Sequence, residues 1–127
     1  MDKILAEISA GELIDKITIL EIKKEKITNN DKLIEINKEL ASLSNTLKKT
    51  IPDLSKILTL KGDLKNINLK LWGIEDGKRL AEKNNQFDKK FIEMARNVYK
   101  LNDKRAAIKL TINNTLGSNI KEVKSYE

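Results

Sequence analysis

Histidine and cysteine are both absent from this chain of 127 residues, so any chemistry must run on carboxylates, lysine, arginine or hydroxyls. Arginine is the scarcest of these. Only Arg79, Arg96 and Arg105 occur among 25 basic residues, and Arg105 has the most telling position. Phe87, Phe91, Met94, Val98, Leu101, Ile108 and Ile112 follow one another in steps of four and three, and Arg105 fills the place between Leu101 and Ile108. A guanidinium on an apolar seam has to be met by a carboxylate or a bound anion, since an unpaired interior charge is strongly destabilising. The common outcome is an intramolecular ion pair with an aspartate, and that is the expectation here; service to a ligand is the alternative.

Two stretches offer carboxylates. Asp15 shares a helical face with Ile19 and Ile22, which brings its carboxylate close to buried surface, where it needs a partner. Asp76 lies four residues from both Trp72 and Leu80, with Glu75 and Arg79 as neighbours at helical spacing. Antiparallel pairing about Asn84 and Asn85 sets Arg105 opposite Leu64 rather than Asp76, so Asp15 or Glu21, or a second subunit, must supply the carboxylate. The same register brings Asn97 opposite Trp72, making Arg96 and Tyr99 the residues expected to approach the Trp72 to Arg79 cluster. Trp72 is a potential binding anchor, although a single tryptophan beside Leu69 and Leu80 is more often core.

Recognisable catalytic motifs are few. Glu12 and Asp15 form an ExxD pair of the kind all-helical nucleotide pyrophosphohydrolases use to chelate magnesium, but no second helix carries paired carboxylates. A mutase of the chorismate type needs several cations converging on one pocket; Arg79, Arg96 and Arg105 are available, but the first helix has no arginine. There is no glycine-rich phosphate loop, metal cluster or nucleophile motif, and no cofactor is implied.

These residues must be positioned by helices. Ser9 and Glu12 form a capping box, with Ile8 and Leu13 as its hydrophobic staple. The first helix then runs to Ile27 and is apolar over most of its circumference, which marks it as the central element. A turn at Thr28, Asn29 and Asn30 leads to a second helix, capped by Asn30 or Asp31 and ending near Lys49. Pro52 opens the third helix, which extends to Lys83 with a break expected between Gly73 and Gly77. The fourth runs from Gln86 to Leu116 and stops at Gly117. A polar tail is expected to drape over the bundle through Ile120, Val123 and Tyr126. With no strand pattern, the fold class is all-α: one domain over 1–127, an antiparallel four-helix arrangement of two hairpins, the second longer. Its overhang would leave apolar seam exposed in a monomer, and a homodimer would cover it.

The net charge of +6 is less informative than its distribution. Residues 1–63 carry eleven basic and eleven acidic side chains, whereas 64–127 carry fourteen and eight, so the whole excess lies in the second half. Lys89, Arg96, Lys100 and Lys104 share a basic face of the fourth helix, which without interleaved exposed aromatics reads as solvated. No apolar run is long enough for a membrane span or a signal peptide, and the expected compartment is the cytoplasm.

The stretches GELIDKITILEIK (Gly11 to Lys23), LWGIEDGKR (Leu71 to Arg79), NDKRAAIK (Asn102 to Lys109) and EVKSY (Glu122 to Tyr126) together resemble a family of small all-helical bacterial proteins known only as a domain of unknown function. The middle motif of that family usually reads LWDIED, so Gly73 departs from it and no carboxylate role carries over to that position. The resemblance implies association with cell-surface polysaccharide genes, and no known activity. Asp103, within NDKRAAIK, is a further candidate for an ion pair or a ligand contact.

The expected function is therefore a non-catalytic binding or assembly module acting as a homodimer. The alternative is binding, or enzymatic processing, of an anionic small molecule such as a phosphorylated sugar or nucleotide in a pocket lined by Arg79, Arg96 and Arg105 with Asp76 or Glu75. Nonspecific nucleic-acid binding is the third reading.

Overall fold

The computed structural model describes residues 1–124, and Tyr126 lies outside them. Four helices follow in order: α1 (Ala10–Lys26), α2 (Asn30–Thr50), α3 (Leu58–Lys83) and α4 (Lys89–Leu116), with a 3-10 turn at Ser55–Ile57 ahead of α3. No strand occurs among the described residues. The arrangement is the expected pair of antiparallel hairpins, α1–α2 and the longer α3–α4. α1 packs against all three other helices, whereas α2 packs on α1 alone.

This central position explains the apolar character of α1. Leu13, Ile14, Ile17, Leu20 and Ile22 are all buried, and Leu13, Ile14 and Ile17 join Leu47, Ile57, Leu64 and Ile112 in one core cluster. The Ser9 side chain caps α1 by accepting from the Glu12 N–H at 3.0 Å. The reciprocal half of the capping box is not made, because the Glu12 carboxylate takes the ammonium of Lys109 instead, an opposite charge in place of a backbone dipole. The staple is open as well, with Ile8 left 40% exposed.

Three further boundaries differ from expectation. Asn29, not Asn30 or Asp31, caps α2 through the Lys32 N–H. Pro52 lies in the connection before α3 rather than in its first turn: the Asp53 side chain accepts from the Ser55 N–H, and the chain turns so that Ile57 is buried in the core before the helix begins. α4 starts at Lys89 because Asp88 caps it through the Phe91 N–H, after a turn that puts Asn85 at φ +53°.

α3 is unbroken through Gly73 and Gly77. A Cβ on Gly77 would lie 2.9 Å from Met94 Sδ, so this glycine permits close approach of α4, and the packing holds the helix together in spite of its low propensity. The tail also departs from expectation. Val123 is 91% exposed, and polar contacts secure the segment instead: Ser118 Oγ accepts from the Ala10 N–H, and Glu122 accepts from Ser9 and Asn113.

α1 and α4 meet most closely at Gly11, where a Cβ would fall 2.5 Å from the Lys109 carbonyl oxygen. Alanine gains about 1 kcal/mol of helix propensity over glycine, but overpacking of this kind costs about 1–3 kcal/mol. Gly11→Ala is therefore expected to lower stability in urea denaturation, and an unchanged or raised midpoint would contradict this packing.

Candidate functional site

Asp15 is 0% exposed at the junction of three helices. Arg105 reaches it from α4 with both prongs of its guanidinium: Nε donates to Oδ1 at 2.9 Å and Nη2 donates to Oδ2. This planar two-point match is the geometry that arginine, unlike lysine, offers a carboxylate. Asn68 of α3 donates its amide to the same Oδ1 at 2.9 Å and to Thr18 Oγ at 3.0 Å, while the Thr18 hydroxyl donates to the Asp15 carbonyl at 2.8 Å. One carboxylate thus ties α1, α3 and α4 together. Hydrogen bonding to Asp15 holds the Arg105 pKa above its ordinary value, against the opposing effect of burial, so the guanidinium is charged at every pH the fold survives.

A cleft of about 380 Å³ opens beside Arg105, between α1 and the α3–α4 hairpin. Ile19, Ile22 and Leu71 give it apolar walls, Trp72 adds an indole, and Glu75, Asp76 and Arg79 bring charge. The structure therefore gathers Trp72, Glu75, Asp76, Arg79 and Arg105 around one opening, with Asp15 directly behind Arg105. Glu75 pairs with Lys78 at 3.3 Å. Arg79 and Asp76 are both exposed, and neither has an ion-pair partner among the described residues.

Arg96, Tyr99 and Asp103 lie elsewhere. Asn97 lines a groove with Gly73 and Ile74, close to the register read from the sequence. Trp72, however, turns toward α1, whereas Arg96 and Tyr99 project from the outer side of α4, Tyr99 being 54% exposed. A register predicts the level of a residue along a hairpin but not the side from which it projects. Asp103 is also exposed and pairs with Lys124 of the tail.

The ExxD pair is already engaged: Lys109 Nζ lies 2.5 Å from Glu12 Oε2 and 3.9 Å from Asp15 Oδ2, and Arg105 and Asn68 hold the Asp15 carboxylate. Lys70, Asn97, Lys100 and Lys104 line a shallow groove of about 520 Å³ between α3 and α4, with no carboxylate in its lining.

Sequence reasoning missed Thr18, Asn68 and Lys109. Each left a signal. Thr18 interrupts the i, i+4 row of Ile14 and Ile22, Asn68 follows Leu64 at the same spacing, and Lys109 is one turn from Arg105. Reading them required knowing that three helices converge on Asp15.

Fold and site define a class: a two-hairpin all-α protein whose hairpins are locked by a buried carboxylate, beside a cleft of mixed charge. Within it, the chain belongs to the family of unknown function DUF6165, whose family model matches residues 4–127. No curated protein and no solved structure matches the chain.

Removing the guanidinium leaves a buried carboxylate uncompensated. Arg105→Leu is expected to cost about 3–5 kcal/mol in urea denaturation, and Arg105→Lys to recover only part of that because the fork is lost; full stability in either variant would contradict the geometry. At the tail, burial raises the Glu122 pKa, but hydrogen bonds from Ser9, its own backbone and Asn113 outweigh it and leave the pKa lowered from 4.5. A lowered carboxyl pKa stabilises the folded form above the ordinary value and loses that contribution as pH falls through the folded one. Protection factors of the amides around residues 118–122, taken relative to intrinsic exchange at each pH, are therefore expected to fall below pH 4.5, and Glu122→Gln should abolish that fall.

Proposed function

We propose that the protein is a non-catalytic assembly module that works as a homodimer joined through the α3–α4 hairpin. One observation carries this reading: no residue from Glu82 to Lys100 is fully buried, although that segment contains Phe87, Phe91, Met94 and Val98. α1 ends at Lys26, one turn past Ile22, which shares the cleft wall with Leu71 and Trp72. From Trp72, level with Ile22, α3 continues eleven residues to Lys83 while α1 continues only four, an overhang of about seven residues or 10 Å at 1.5 Å per residue. Beyond α1 the hairpin is only two helices thick, so its seam can be only half covered from within the chain. Phe87 is 52% exposed, and its ring meets Phe91 edge-on at 5.4 Å. Two such hairpins packed face to face make a four-helix bundle that buries both seams.

Light scattering is expected to give twice the 14.5 kDa chain mass. Phe91→Asp, which puts a charge on the half-covered seam, should yield a folded monomer with unchanged helical circular dichroism. A wild-type protein that stays monomeric at every concentration examined would overturn the proposal.

A second reading, weak polyanion binding, is supported by the carboxylate-free groove of Lys70, Lys100 and Lys104. It requires oligonucleotide affinity to fall steeply with salt, and Lys100→Gln combined with Lys104→Gln should flatten that slope.

A further inference from the structure

The cleft beside Arg105 is distinct from the hairpin tip, and its charges are arranged differently from those of a simple anion site. Arg105 already has a full counter-charge in Asp15, and Glu75 has one in Lys78. Arg79 and Asp76 remain, three residues apart on α3 and each without an ion pair among the described residues. The outer edge of Arg105 is also under-used: Nη1 makes only a long 3.4 Å contact with Asn102, and the side chain is 28% exposed at the cleft. Arg105 is nevertheless held rigidly, because the Asp15 that anchors it is itself held by Asn68. A donor fixed in place before a ligand arrives loses little conformational freedom on binding.

A ligand bearing only negative charge would meet Asp76 and Glu75, and one bearing only positive charge would meet Arg79 and Arg105. The matching ligand carries both signs close together, as Asp76 and Arg79 lie three residues apart on one helix, with an apolar body beside them. The volume of about 380 Å³ lies near the small end of the roughly 300–1,000 Å³ usual for ligand pockets. We propose that this cleft binds a small zwitterion, an α-amino acid with an apolar side chain. Its carboxylate is taken by Arg79 and the outer edge of Arg105, its ammonium by Asp76, and its side chain lies against Trp72 and Leu71. The site is complete within one chain, so it stands or falls independently of dimerisation.

Trp72 is the only tryptophan, so intrinsic fluorescence reports directly from the cleft wall. The probes are L-phenylalanine and L-leucine, each compared with the analogue lacking the amine (3-phenylpropionate, 4-methylpentanoate) and the analogue lacking the carboxylate (2-phenylethylamine, 3-methylbutylamine). At least one amino acid should bind saturably and more tightly than both its analogues by about tenfold or more, the loss expected when one charge-assisted contact is removed. Arg79→Gln and Asp76→Asn change exposed side chains and should leave the fold intact. Each should weaken the amino acid by a similar factor, Arg79→Gln also weakening the acid analogue while leaving the amine analogue unaffected, and Asp76→Asn the reverse. Equal or tighter binding of either analogue, or no change in Trp72 emission with any amino acid, would overturn the proposal.

Discussion

A carboxylate removed entirely from water is the constraint on which the rest of this structure depends. Asp15 sits on the most buried helix of the molecule, and leaving it unpaired there would cost more than a small domain can spare. The solution takes one group from each helix that packs on that face of α1: Asn68 from α3 and Arg105 from α4. Apolar contacts alone would bring the hairpin and α1 together with some freedom to slide. A planar fork on a buried carboxylate has one good geometry, so the pair sets their register. Gly11 complements it one turn earlier by letting the α1 and α4 backbones come into contact near Lys109.

The same pair creates the cleft. Arg105 is too long and too polar to close the gap between α1 and α3 as an apolar residue at its seam position would, and one edge of it stays open to solvent. Immediately beyond it the helices part, and Trp72, Glu75, Asp76 and Arg79 line the space that results. Farther along, α1 ends and the hairpin continues uncovered. Stability is therefore concentrated around Leu13, Ile14, Ile57, Leu64 and Ile112, while the surface suited to contacts lies at the other end. Such a division is common where a rigid part of a fold positions a less stable working part.

Much of this was legible in the sequence, because helical periodicity and a scarce residue in the wrong place are both local signals. The seam of α4 identified Arg105 as a buried charge, and the antiparallel register already excluded Asp76 as its partner. The sequence leaves both Asp15 and Glu21 open for that role, and the packing of α1 against α4 selects Asp15. Capping was legible only in part: Ser9 caps α1, yet Glu12 prefers Lys109, a partner nearly a hundred residues away that no local rule anticipates. Pro52 misled for a similar reason, since the burial of Ile57 determines where α3 starts. Arg96 and Tyr99 were placed at the right level of the hairpin and on the wrong side of it. In the tail, apolar residues were expected to do what Ser118 and Glu122 do by hydrogen bonding.

The claim that the Asp15 and Arg105 side chains act as one unit is tested most directly by a double-mutant cycle of Asp15→Asn and Arg105→Met, measured by urea denaturation. Residues in direct contact couple by about 0.5–3 kcal/mol, and a two-point guanidinium fork on a buried carboxylate belongs at the upper end, with the double variant more stable than the sum of the single losses allows. Losses that simply add, within about 0.3–0.5 kcal/mol, would contradict the account.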